Sequence, residues 1–427
     1  MRLLINRRLV AVLVTVIALP AYADSWLDTV EHGVTVELEV AHNTDQDKGQ
    51  KRQLLFTPDF SANIFSDTVL NVEGRWTYDN LREIQSDQNQ FQLRTFTLET
   101  FYNDSYLTLG KQQIVWGKAD GLKVLDVVNP QHWHEFILDD FDDSRIPLWA
   151  VNFETSLGDN NLQFISVLEQ EYHDFADSNT AYAFTSPKLV PTPPSGIPVT
   201  IQATQRPKRV LKDADVGLRL SGFAKGWDYS FIYFYHFDDT PTLFRTLEQT
   251  TQGPHIHIRP QHKRTHLVGT ALSNAFGNLT IRSELGYSLD KYYSTNNNND
   301  HDGVTKHNEL AYVLGLDWSG FSDTFISLQL YQSYLTNYKA GVLRDRTNTT
   351  ITSLIEQNYL NDTITSRLLW LHSTNHDNGL IRPKLSYQFN DTTNFWLGAD
   401  IFYGNRKGLY GQFDQQDRAF VGTEIAI

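Results

Sequence analysis

Beyond its first two dozen residues the 427-residue chain has no run of about twenty apolar residues, so no helix there is apolar enough to cross a bilayer. It has no cysteine, which excludes disulfides and thiol chemistry and leaves its stability to other sources. A basic surplus is missing too: 36 Lys and Arg against 50 Asp and Glu give a formal net charge of −14. Such acidity argues against a nucleic-acid partner, which would need a basic face. Mean hydropathy is only −0.40, which taken alone describes a soluble protein. A membrane barrel hides its apolar residues from that average, because only every second residue faces lipid. Aromatic residues make up 13% of the chain, with 20 Tyr and 9 Trp, enough for girdles at two membrane interfaces.

Both ends carry address signals. Arg2, Arg7 and Arg8 precede an apolar run over residues 9–19, Pro20 breaks it, and Ala21-Tyr22-Ala23 is a small-x-small cleavage site. This pattern predicts a cleaved Sec signal peptide over residues 1–23, leaving residues 24–427 as the mature chain. Loss of the three arginines takes the formal charge to −17. At the other end, Ala419, Val421, Thr423, Ile425 and Ile427 alternate with Phe420, Gly422, Glu424 and Ala426. One face is β-branched and apolar and the other carries a carboxylate, which suits a wall with lipid outside and water inside. The ending resembles the C-terminal strand signal of bacterial outer-membrane barrels, with Ile427 where Phe or Trp is usual. That resemblance implies the barrel-assembly machinery as a partner.

Between these ends, alternating segments of roughly ten residues recur from 34–41 to 417–427, about 18 in all. Tight connections such as Asn103-Asp104-Ser105, Gly158-Asp159-Asn160 and Asn361-Asp362 alternate with long ones over 117–146, 171–211, 238–261, 290–306, 336–348 and 404–416. Short periplasmic turns and long extracellular loops produce this rhythm. The expected fold class is therefore all-β: a transmembrane antiparallel β-barrel of about 18 strands with an inward-folded loop. A charge on the lipid face costs roughly 2–4 kcal/mol at the midplane. That places Arg219, Arg282, Glu284, Glu309, Asp317, Asp400 and Glu424 on the lumenal wall, bracing it in pairs or lining a path.

The connection over 117–146 stands apart. Leu122, Val124, Leu125, Val127, Val128, Trp133, Phe136, Ile137, Leu138 and Phe141 are too many apolar residues for a loop in water. We expect it to fold into the lumen as a constriction or partial plug, the other arrangement being a cap across the extracellular rim. Glu135, Asp139, Asp140, Asp142 and Asp143 would form an acidic constriction partly neutralised by Arg145, flanked by Trp116 and Trp133. With His132 and His134 these acids also offer hard ligands for a divalent ion, although the spacing matches no EF-hand loop. No cofactor is implied. The proline-rich stretch from Pro187 to Pro198 predicts an extended, exposed connection. His255, His257, His262 and His266, with Arg206, Lys208, Arg209, Lys212, Arg259, Lys263 and Arg264, suit contact with lipopolysaccharide phosphates.

Leu109-Gly-Lys-Gln-Gln-Ile-Val-Trp-Gly117, followed by Asp126-Val-Val-Asn-Pro130 and Asp140 to Trp149, resembles a family of uncharacterised proteobacterial outer-membrane porin-like proteins. So does the closing portion, with Leu409-Tyr-Gly-Gln-Phe-Asp414 and Asp417-Arg418. In strand number and inward loop the design is similar to that of the alginate exporter. The resemblance implies passive or partner-driven passage across the outer membrane of a Gram-negative bacterium and names no solute. The residues favour a channel or selective transporter that disfavours anions. The alternative is a conduit for a hydrophobic compound or lipid, served by a periplasmic carrier. An outer-membrane hydrolase is the remaining class. His372 and Ser373 are adjacent on a strand and point to opposite faces, and Asn378 stands two residues after His376 where a Ser would be needed. We therefore expect no enzyme.

Overall fold

Period-two alternation forces each segment to choose one lipid-facing and one lumenal row, and 18 such segments close on themselves. In the computed structural model the described residues are 30–117, 122–192, 194–297 and 300–427. The candidate signal peptide at 1–23 lies outside them, as do Pro193, residues 118–121 of the inward segment, and Asn298 and Asn299 of the Asn-rich tip.

The barrel strands are β1 (Val30–Asn43), β2 (Lys48–Phe65), β3 (Thr68–Asp79), β4 (Asn89–Tyr102), β5 (Ser105–Gln112), β6 (Leu148–Leu157), β7 (Asn160–Val167), β8 (Asp215–Ala224) and β9 (Trp227–Phe237). They continue as β10 (Arg264–Phe276), β11 (Leu279–Ser294), β12 (Val304–Trp318), β13 (Thr324–Leu335), β14 (Thr347–Tyr359), β15 (Ile364–Ser373), β16 (Asn378–Asn390), β17 (Thr393–Gly404) and β18 (Arg418–Ala426). Each strand pairs antiparallel with the next, and β1 pairs with β18 from Thr35↔Ala426 to Asn43↔Arg418. Ile427 completes the seam by exchanging backbone hydrogen bonds of 2.9 Å with Val34. Closure leaves no sheet edge unpaired, which a wall in hydrocarbon requires.

Facing follows the alternation. Leu218, Leu285, Leu314, Leu316, Leu397, Ile401, Val421 and Ile425 are exposed on the outside, while Glu284, Asp317 and Asp400 are buried inside. Exposed aromatics such as Phe65, Tyr102, Phe223, Phe276, Phe321 and Phe389 ring the end of the short turns. Rings at that level suit a membrane interface.

The long connection read over 238–261 carries strands of its own: Thr242–Thr250 and Gly253–Gln261 form an antiparallel hairpin, joined in parallel by Val199–Ile201. The 171–211 connection is not exposed throughout. Tyr172, Tyr182, Ala183 and Ser186 are buried: Tyr182 packs in the cluster of Phe136 on the inward segment, Tyr172 stacks on His262, and Ser186 bonds the Lys407 carbonyl.

Candidate functional site in the barrel lumen

The inward segment starts where β5 stops. The sequence extends the strand to Trp116, but pairing ends at Gln112 and the chain leaves the wall. Asn129 holds this root. Its Oδ1 accepts the Ile114 N–H at 2.7 Å, and its Nδ2 donates to the Ile146 carbonyl at 2.8 Å. Asp126 accepts from Arg145 Nη2 at 2.6 Å and from Lys123 at 3.1 Å. The stretch from Asp126 to Pro130 is thus a buckle that pins departure and return together.

From the root, the chain runs over the inner wall. Trp116 is buried and donates its indole N–H to Gln163 at 2.8 Å. Val124 and Leu125 donate their backbone N–H groups to Glu284 Oε2 at 2.9 and 3.0 Å. Glu284 is 1% exposed and Leu125 fully buried, so this carboxylate caps backbone that water does not reach. The wall beneath is made of glycine. A Cβ on Gly217 would stand 2.4 Å from Trp116, one on Gly269 2.5 Å from Leu125, and one on Gly286 2.8 Å from Val124. Gly269 and Gly286 are register partners on β10 and β11. Glycine is costly in a strand interior, and here it marks a close approach of another chain segment. Around this seat Val128, Leu148, Ile165, Ile232, Phe234, Leu267 and Val313 complete an apolar cluster inside the barrel.

The segment then crosses to the opposite wall, where charge holds it. Glu135 meets Arg418 at 2.7 Å and Lys51 at 3.2 Å, and Lys51 also reaches Glu39 at 3.1 Å. Burial works to raise the Glu135 carboxyl, but Lys51 and Arg418 hold it well below the usual carboxylate range. Asp139 is raised by its burial and by the Glu135 charge. Arg382 donates to the Leu138 carbonyl at 2.7 Å while its Nε bonds Asp400, which Arg418 also bonds, both at 2.7 Å. Arg94 donates to the Arg145 carbonyl at 2.8 Å, Arg75 meets Asp143 at 2.7 Å, and Arg145 also bonds Asp142. Beside this, Phe136 lies among Phe184, Phe402, Tyr410 and Phe413, with Trp133 at the cluster's edge.

The sequence reading gave an acidic constriction partly neutralised by Arg145, and these contacts add further cations to it. Glu135, Asp139, Asp142 and Asp143 all lie near cations, whereas Asp140 is exposed and belongs to none of the ion pairs among the described residues. The sequence could not show this, because Lys51 and Arg418 are 84 and 283 residues from Glu135. The wall charges are also braced. Arg282 bonds Asp317 at 2.5 Å, and Glu309 meets Arg344 at 2.8 Å and Lys291 at 3.2 Å. Glu424 faces the lumen opposite Glu37 across the seam, and Arg219 stands half-buried on β8. Between segment and wall lies a cavity of about 730 Å³, touched by Lys51, Arg75, Lys384, Asp140, Glu424 and Trp396.

The acids do not converge on a metal-sized site. Instead His132 and His134 turn toward Asp174, a residue of the next long loop that the sequence reading did not single out. His134 is raised above its ordinary range by its hydrogen bond to Asp174. Burial works to raise Asp174, but bonds to His132 and His134 hold it well below the usual range.

The whole architecture is found among solved outer-membrane proteins. The structure of OpdK from Pseudomonas aeruginosa with vanillate superposes with a TM-score of 0.55 at 9% identity, covering 94% of this chain and 100% of that one. OccK2 (OpdF) from Pseudomonas aeruginosa with glucuronate gives 0.55 at 8%, covering 95% and 99%. OccAB1 from Acinetobacter baumannii gives 0.56 at 7%, covering 95% and 98%. These likenesses show the fold. No curated protein sequence matches the chain. A family model does match residues 26–406, and the chain belongs to that family, described as protein of unknown function (DUF1302).

Proposed function

We propose that the protein is a porin-like channel of the Gram-negative outer membrane, exported by a signal at residues 1–23, in which the inward segment selects what passes. The observation that carries this reading is the lumen itself: a segment pinned to opposite walls leaves a cavity of about 730 Å³ with mixed polar and apolar lining. An 18-stranded barrel is too wide for wall side chains alone to fill it, so an inward segment is the natural constriction. Because most acids there are paired, discrimination against anions is weaker than a free acidic ring would impose. Small polar organic solutes, neutral or zwitterionic, match paired charge beside aromatic rings. Exposed Lys208 and Arg209 would meet lipopolysaccharide at the outer rim. No assembled nucleophile and base are found among the described residues: His372 bonds Tyr403 at 2.9 Å, and its neighbour Ser373 belongs to the other face.

A second reading has one observation in its favour. Leu122, Trp133, Ile137, Leu369 and Phe420 line the same cavity, which suits a hydrophobic compound handed on by a periplasmic carrier. Single-channel recording of the refolded protein in a planar bilayer, under a potassium chloride gradient, separates the two. A steady conductance with a weak cation preference supports the channel. Silence from a demonstrably folded barrel overturns it and favours the carrier-dependent conduit.

A further inference from the structure

The pair His132 and His134 is a different kind of site from the acids around it. His132 opens the two-residue strand His132–Trp133, which pairs in parallel with Asp174–Phe175, register His132↔Asp174 and Trp133↔Phe175, and His134 follows in the turn just after it. Both imidazoles converge on one carboxylate oxygen. Asp174 Oδ2 lies 3.2 Å from His132 Nδ1 and 2.8 Å from His134 Nε2. All three ligand atoms fall within 4.8 Å of one another. Tetrahedral zinc with bonds of 2.0–2.1 Å sets its donors about 3.3 Å apart, so small side-chain adjustments close the set.

A His-x-His pair alone is weak. Here a carboxylate from a separate loop, fixed by backbone pairing, supplies the third donor. His173 is not among the converging donors, and its Nδ1 accepts the Gln131 N–H at 3.0 Å. Behind His132, the Gln92 amide lies 3.1 Å from Nε2. Turned so that its oxygen accepts Nε2–H, that amide would leave Nδ1 unprotonated for a metal. Metal-bound histidines commonly rest on such an outer hydrogen bond.

We propose that His132, His134 and Asp174 form a binding site for a borderline divalent cation of the zinc, copper and nickel class. Two imidazoles and one carboxylate suit these ions and not calcium or magnesium, which take oxygen. Three protein donors leave at least one position for water or solute, and both histidines line the lumenal cavity. A bound ion joins the inward segment to the 168–214 loop, so it ties the two together beside the cavity and adds positive charge there.

Binding is tested apart from transport, by titrating zinc into the full-length refolded protein and following heat, with cobalt(II) absorption as a second readout. We expect one equivalent to bind to the wild type. His134→Ala or His132→Ala weakens binding about 100-fold or more, and Gln92→Leu about 10-fold. Folding of each variant is checked by the gel-mobility shift on heating. If a histidine variant fails to fold, Asp174→Asn keeps polar contact with the imidazoles and still weakens binding at least 10-fold. The proposal is overturned if the wild type binds no zinc, or if these changes leave affinity intact while His255→Ala with His257→Ala in the outer hairpin abolishes it.

Discussion

The inward segment is held at its two ends by different physics. Near the root, Trp116, Val124 and Leu125 are seated by shape on Gly217, Gly269 and Gly286, with Glu284 capping the backbone. Farther along, Glu135 is held by charge between Lys51 and Arg418, and carbonyls are held by Arg382 and Arg94. Trp116 and Leu125 are shut off from solvent and from the cavity, whereas Lys51, Arg382 and Arg418 at the charged end line it. A contact that fills glycine space fixes position, because dispersion and burial fail quickly with small displacement. A paired charge beside water sets the field that a passing solute feels. The difference teaches that one loop serves as both scaffold and filter by dividing these tasks along its length.

The largest effect comes from removing both. Deleting residues 122–144 and joining the flanks should raise single-channel conductance several-fold and flatten selectivity; an unchanged current would place the constriction elsewhere. Breaking only the charged end comes next. Arg418→Met leaves Glu135 and Asp400 short of a buried partner, which costs about 3–5 kcal/mol. Thermal unfolding should shift down and channel noise should rise, while Glu135→Gln in the same chain recovers part of the loss. Gly269→Val attacks the apolar seat alone. Overpacking costs about 1–3 kcal/mol, and faster proteolysis of the segment in an otherwise intact barrel is the expected reading.

How much of this the sequence carries depends on the range of the interaction. Strand number was legible because alternation and turn residues are local, and all 18 strands fall where segments were read. An apolar loop such as 117–146 must bury itself, which made its inward fold an expectation. The partners of its charges were not legible, since Lys51, Arg382 and Arg418 reach the segment only through closure of the wall. The glycine seat had a faint signal: Gly217, Gly269 and Gly286 occupy inward positions of strands, where a side chain would otherwise brace the lumen. Nothing in the sequence paired Asp174 with His132, because two long loops had to meet first.

The smallest expected effect is one of pH. The Glu135 carboxyl is held below its ordinary range, so its contribution is present above the unfolded value and is lost only as pH falls through the lower folded value. Between about pH 5 and 8 this anchor should therefore stay ionised. Wild type and Glu135→Gln should show parallel conductance profiles across that window. With Asp139→Asn in both chains, so that the neighbour raised by the Glu135 charge cannot titrate, a divergence near pH 6 would mean that Glu135 is not held by its cations.

The absence of cysteine in the native chain makes the central comparison directly measurable. Single cysteines are placed at Leu125, under the wall contact, and at Asp140, exposed to the cavity, and each folded protein is treated with a small charged thiol reagent. Seating by shape at one end and an open filter at the other predict that Asp140→Cys is labelled rapidly. Leu125→Cys should stay unreacted until the barrel is unfolded. Equal labelling of both in the folded protein would contradict the account.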